Sequence, residues 1–135
     1  MSSFHLTIVC PDGCLFDGDA QFIKLRTTEG DVGILPNHIS YTAAIGMGEC
    51  EVQTEEQRRL AACIGGIVSV ADNEVSVIST TFEWKEDIDV DRARASLQRA
   101  ENALAGDDLS GPERQVYEAR KRRALVRIGV AEKTV

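Results

Sequence analysis

The chain has 135 residues, enough for one domain or for a domain with a small appendage. Hydrophobic residues make up 43% and charged residues 27%, which excludes a disordered chain, and no apolar run nears the roughly 20 residues of a membrane-spanning helix. A net charge of −7 argues against nucleic acid as a partner of the whole chain, because its field repels phosphate.

That charge is unevenly spread. Residues 1–86 carry thirteen acids against five bases, whereas residues 87–135 carry nine against ten. Residues 112–128 hold six bases against Glu113 and Glu118. The asymmetry predicts two parts with different partners, divided at 1–86 and 87–135.

The first part reads as β throughout. Phe4, Leu6, Ile8 and Cys10 alternate with His5, Thr7 and Val9, the period-two pattern of a strand buried on one face. Because alternation begins at Phe4, no leader segment is expected before it, and the expected location is the cytosol. Pro11-Asp12-Gly13 signals a turn. Residues 22–27 alternate again, with Ile23 and Leu25 inward and Lys24 and Arg26 outward. Residues 49–53 repeat the pattern with Cys50 and Val52 inside, and strands are expected over 59–64, 67–70 and 74–79. Gly65-Gly66 and Asp72-Asn73 break these runs at hairpin spacing. Many short strands without helical periodicity between them predict a β-sandwich or barrel.

The period changes near residue 87. Val90, Ala93, Leu97, Ala100 and Leu104 form one helical stripe, and Asp87 or Asp89 is placed to cap its start. Residues 106–112 break the pattern. Pro112 suits the first turn of a second helix capped by Ser110 or Gly111, expected to run to about Ile128 and stop at Gly129. Tyr117, Ala124, Leu125 and Ile128 are assigned one face and Arg120, Arg123 and Arg127 a basic ridge opposite. A short connection makes the pair an antiparallel hairpin, only marginally stable alone, since its alanines bury little area.

Catalytic signatures are not readable. Phosphate-binding glycine loops and nucleophile elbows are missing from the sequence. Cys10 and Cys14 flank a turn, but Cys50 and Cys63 supply no second short-spaced pair for tetrahedral zinc, so no metal site is expected and all four cysteines read as reduced, buried hydrophobes. The stretch Gly30–Ile39 is apolar for a loop. His38 there is a catalytic residue, part of a buried tuck of the core, or part of a surface that another protein covers. As a base it lacks a readable orienting partner and nucleophile.

Four motifs in order carry a family resemblance: "GILPNH" at 33–38, "IGGIVSV" at 64–70, "IDVDRA" at 88–93 and "RALVRIGVA" at 123–131. Across essentially the whole chain they resemble the ε subunits of F-type ATP synthases. The resemblance implies a ten-stranded β-sandwich followed by a two-helix hairpin. It implies a non-catalytic rotor-stalk subunit, coupling proton translocation to ATP synthesis, on the cytoplasmic face of the bacterial plasma membrane. Membrane association would come only through the complex. The implied partners are the γ subunit, the ring of membrane c subunits, and the catalytic β (and α) subunits. Gly33, Ile34, Leu35, Pro36, His38 and Ile39 are the implied contacts to γ and the c-ring. The hairpin is implied to be a mobile arm that inhibits ATP hydrolysis when extended, presenting Arg120, Arg123 and Arg127 to an acidic segment of the β subunits.

Some bacterial members bind ATP on the folded arm, with no obligatory cofactor. Glu83, Ile88, Asp89, Arg92, Ala93, Arg99, Arg123 and Arg127 stand at the implied positions. Arginine forks hold phosphate oxygens without a glycine-rich loop, and the carboxylates accept from ribose or adenine. Asn37 and Ser40-Tyr41 depart from the family's small residue and Pro-Leu, and Asn37 still tolerates a left-handed backbone. Two other readings stand beside this one: a purely structural stalk subunit without nucleotide binding, and a free-standing nucleotide sensor.

Overall fold

The computed structural model describes residues 2–134. They form two compact units, one ending at Lys85 and one spanning Glu86–Thr134.

The first unit contains β1 (Phe4–Cys10), β2 (Gly13–Ala20), β3 (Phe22–Thr27), β4 (Gly30–Ile34), β5 (Tyr41–Ala44), β6 (Met47–Gln53), β7 (Arg58–Ala71) and β8 (Glu74–Trp84). The hydrogen-bonded order is β2-β1-β8-β7-β6-β3-β4, with β5 also on β7. All pairings are antiparallel except β1 with β8. The described residues thus hold eight strands, not the expected ten. Gly65-Gly66 accounts for one strand of that difference. It was expected to end a strand at a hairpin, but both glycines lie inside β7, with φ of 73° and 120°. β7 therefore continues through the kink: its first half pairs with β6 and its second with β5, while β8 follows it along both halves. One long strand, β7, stands where two short ones were expected, and β8 runs to Trp84, five residues past the expected end at Ser79.

The true β7–β8 hairpin is at Asp72-Asn73. Their φ values of 52° and 60° are the two left-handed residues of a primed turn, which matches strand twist. β2, β4 and β5 carry too little apolar alternation to be read alone. β2 mixes two glycines and two aspartates with Leu15 and Phe16, and antiparallel pairing with β1 recruits it.

The core lies where alternation predicts. Phe4, Leu6, Ile8, Ile23, Leu25 and Val52 are buried in one cluster with Val68, Val77 and Ile34. Each large apolar side chain so buried contributes about 1.5–3 kcal/mol. Cys50 and Cys63 join this core, and burial pushes both thiols up, so they stay protonated. Cys14 is exposed and Cys10 half-buried, which corrects the expectation of four buried thiols. Glu51 also breaks alternation: it is buried although Cys50 and Val52 beside it face inward. Its carboxylate accepts from Arg58 Nη2 at 2.9 Å and from Gln53, the pairing a buried charge requires.

The second unit begins with a 3-10 turn (Lys85–Asp87), then α1 (Val90–Leu104) and α2 (Gly111–Glu132). Asp89, not Asp87, caps α1, its carboxylate accepting from the Arg92 N–H at 3.1 Å. Ser110 and Glu113 form a reciprocal capping box on α2. α2 runs four residues past Ile128, because Gly129 keeps helical geometry and Val130 beyond it is buried. The helices are antiparallel. Arg94 near the start of α1 meets Glu132 at the end of α2 at 2.6 Å, and Arg114 reaches back to the carbonyls of Leu104 and Gly106.

Candidate functional site

The segment between β4 and β5 is braced at its turn. Asn37 adopts φ of 64°, and its N–H donates to Asn73 Oδ1 at 2.8 Å. The Asn73 amide donates in turn to the Ser3 carbonyl at 2.8 Å. His38 Nδ1 lies 2.8 Å from the Ile39 carbonyl, and since a carbonyl only accepts, Nδ1 carries the proton. The imidazole also sits edge-on to Tyr41, with centroids 5.9 Å apart. The carbonyl and the aromatic edge fix the ring's tautomer and orientation and so brace the loop.

The loop's apolar residues divide sharply. Leu35 is 60% exposed and Ile39 78%, whereas Ile34 is fully buried. Ile34 therefore cannot be a partner contact, which corrects the sequence expectation. It is the last residue of β4, paired with Ile23 of β3, and belongs to the core. Gly33 and Leu35 are exposed, and Pro36 and His38 half-buried.

A second apolar surface was missed from the sequence. Ile67 and Ile78 stand directly opposite one another on β7 and β8, 52% and 58% exposed. With Val9, Cys10, Pro11 and Gly66 they line a hollow of about 410 Å³. Gly66 shapes it: a Cβ there would lie 2.0 Å from the Ile78 carbonyl oxygen. The signal was legible. Val68 and Val70 in the core force Ile67 outward, and Val75 and Val77 do the same for Ile78.

On the helical unit the expected nucleotide residues separate by role. Asp89 is engaged in capping, and Ala93 is buried on the α1 stripe. Arg92 and Arg99 are exposed, and Ile88 is half-buried. Arg123 and Arg127 are half-buried, flanking Ala124 and Ile128, so the basic ridge is not opposite the apolar face. Leu125, assigned to that face, is 48% exposed. Arg120 lies 5.2 Å over the Tyr117 ring. These two residues, with Ser96, Arg99 and Ala100, line a hollow of about 270 Å³ between the helices. Arg99 and Arg120 are thus brought together, a pairing the sequence did not reveal. Glu83 is half-buried on β8, in the other unit.

Fold and surface define a two-unit chain: a β-sandwich with exposed apolar residues, and a helical hairpin rich in arginine. Both units match known family models. Residues 3–85 match the β-sandwich domain of the ATP synthase delta/epsilon chain, and residues 86–132 its long α-helix domain. The chain belongs to the ATP synthase delta/epsilon family. It is 39% identical over 134 residues to the ATP synthase epsilon chain of Ruminococcus albus, covering 98% of this chain and 99% of that one. It is 34% identical over 131 residues to that of Halalkalibacterium halodurans, covering 97% and 98%. A chain in the Euglena gracilis mitochondrial ATP synthase shares its fold with a TM-score of 0.85 at 20% identity, covering 98% of this chain and 83% of that one.

Proposed function

We propose that the chain is a rotor-stalk subunit of a bacterial F-type ATP synthase, non-catalytic in itself, that couples ion flow to ATP synthesis and restrains ATP hydrolysis through its helical hairpin. The full-length match across both units carries this reading. The surfaces fit it. A stalk subunit needs adhesive faces, and Leu35, Ile39, Ile67 and Ile78 supply exposed apolar anchors on a rigid sandwich. The γ subunit and the c-ring are their proposed partners. No described helix is long and apolar enough to cross a membrane, so attachment at the cytoplasmic face would come through those partners.

The hairpin is proposed to act as the inhibitory arm. The six bases of residues 112–128, including Arg120, Arg123 and Arg127, suit an acidic segment of the catalytic β subunits. ATP is the proposed regulatory ligand, held by Arg92, Arg99, Arg123 and Arg127, and it favours the folded arm only by binding that state more tightly. A stalk subunit whose arm does not read nucleotide is the second reading. It is favoured by one observation: capping and packing already account for Asp89 and Ala93.

Two measurements test this. ATP hydrolysis by the reconstituted complex should rise when the chain ends at Glu86; an unchanged rate sinks the inhibitory arm. Calorimetric titration with ATP should give a binding isotherm weakened by Arg123→Ala; a flat isotherm at millimolar ATP selects the second reading.

A further inference from the structure

The two helices of the hairpin are joined at one end, through residues 105–110. There Arg114 also donates to the carbonyls of Leu104 and Gly106. At the other end side chains must hold α2 to α1, and three observations single that end out. Arg94 Nη2 donates to Glu132 Oε2 at 2.6 Å, a pair 38 residues apart in sequence that exists only while the hairpin is closed. Glu132 is the last residue of α2, where a carboxylate opposes the helix dipole, and no basic residue stands in that last turn to offset it. The helix by itself gives no reason for a carboxylate there; Arg94 on the other helix does. Gly129 weakens the same stretch. It is helical, and a Cβ added to it would meet open space, so packing does not demand a glycine that costs helix stability relative to alanine. Across the hairpin α1 buries only alanines, which add little area to hold it shut.

We propose that the Arg94–Glu132 pair is an electrostatic latch at the open end of the hairpin, and that its opening frees the weak end of α2 as the first step by which the arm leaves its folded state. The inference rests on the reading that the arm inhibits hydrolysis once extended, and it deepens that reading by naming the contact whose loss starts the extension. An exposed ion pair suits the task. It shifts an opening equilibrium by a few-fold, enough to bias a closure held by small side chains and too little to lock it. It also weakens as ionic strength rises.

Amide exchange of the full chain at low salt, followed by mass spectrometry over residues 123–132, tests the latch. Arg94→Glu and Glu132→Arg each turn the attraction into a repulsion and should speed exchange there about two- to fivefold. The two together restore a pair of opposite charges and should return the rate to that of the unmodified chain or below it. Glu132→Gln relieves the dipole yet should still speed exchange, and added salt should speed the unmodified chain but not this variant. Single reversals that exchange at the unmodified rate, or a double reversal as fast as the singles, overturn the latch. Slower exchange in Glu132→Gln overturns it too, because the dipole would then govern that turn. If one reversal lowers helicity by circular dichroism, the other, on the opposite helix, carries the test. In the reconstituted complex each single reversal should lower ATP hydrolysis by up to about fivefold, and the double reversal should restore it. Exchange that responds as expected while hydrolysis stays unchanged keeps the latch and overturns the inhibitory reading of the arm.

Discussion

Ile34 and Leu35 are neighbours in sequence with opposite environments, and substituting each separates fold from assembly. Ile34 is fully buried and paired across β3–β4 with Ile23, while Leu35 is 60% exposed. Ile34→Ala deletes three carbon groups from a packed core. At about 0.8 kcal/mol per group, transfer alone costs about 2.4 kcal/mol. The residual cavity raises the expected loss to about 3–4 kcal/mol. With a urea dependence of about 2 kcal/mol per molar, the midpoint should fall by about 1.5–2 M. Leu35→Ser should stay within about 0.5 kcal/mol of the unmodified chain. Its effect should appear in assembly, as loss of more than about 1 kcal/mol of binding to the stalk partners. The single tryptophan, Trp84, lies at the end of β8 and packs on Phe82, so its fluorescence reports sandwich unfolding directly. Equal midpoint shifts for the two variants would refute the assignment of Ile34 to the core and Leu35 to a surface.

Gly66→Ala should destabilise the sandwich by at least about 3 kcal/mol, because φ of 120° disfavours a side chain and the new Cβ meets the Ile78 carbonyl at 2.0 Å; an unmoved denaturation midpoint would contradict this. Hydrogen bonding from Arg58 foremost, with Gln53 assisting, holds the Glu51 carboxyl below its ordinary value of 4.5. Its stabilisation is therefore fully present above pH 4.5 and lost as pH falls through the depressed value, and Glu51→Gln should flatten stability against pH in that window. Amide exchange should be faster in α1 and α2 than in β7 and β8; equal protection would show that the hairpin is as stable as the sandwich.

The fold was legible wherever a strand has one buried face. β1 and β3 follow period two, since each alternate residue meets the same core. Reading failed where pairing rather than pattern makes the strand, as in β2 and β5, and where a glycine carries a geometry that composition does not encode. Gly65-Gly66 looks like a hairpin and is a kink, and Gly129 looks like a stop and is helix interior. At Glu51 a charge looks outward and is buried, because Arg58 is a strand turn away to receive it. In the loop, Leu35 and Ile39 are exposed, but Ile34, expected with them, belongs to the core. Alternation along β4 ends on Ile34, and the chain leaves the sheet only after it.

The arginines were legible as a charge excess, but not which of them face one another across the hairpin, because helical spacing gives a residue's angle and not which residue of the other helix stands level with it. That register is set at the two ends, by Arg94 with Glu132 and by Arg114 with the carbonyls of Leu104 and Gly106. Such exposed pairs contribute only about 0–1 kcal/mol each. Between them α1 buries only Ala93 and Ala100, and α2 only Ala124 and Val130. Small buried side chains and weak end clasps make a hairpin whose register is defined but whose stability is low. An element of that kind suits an arm that must leave one set of contacts for another.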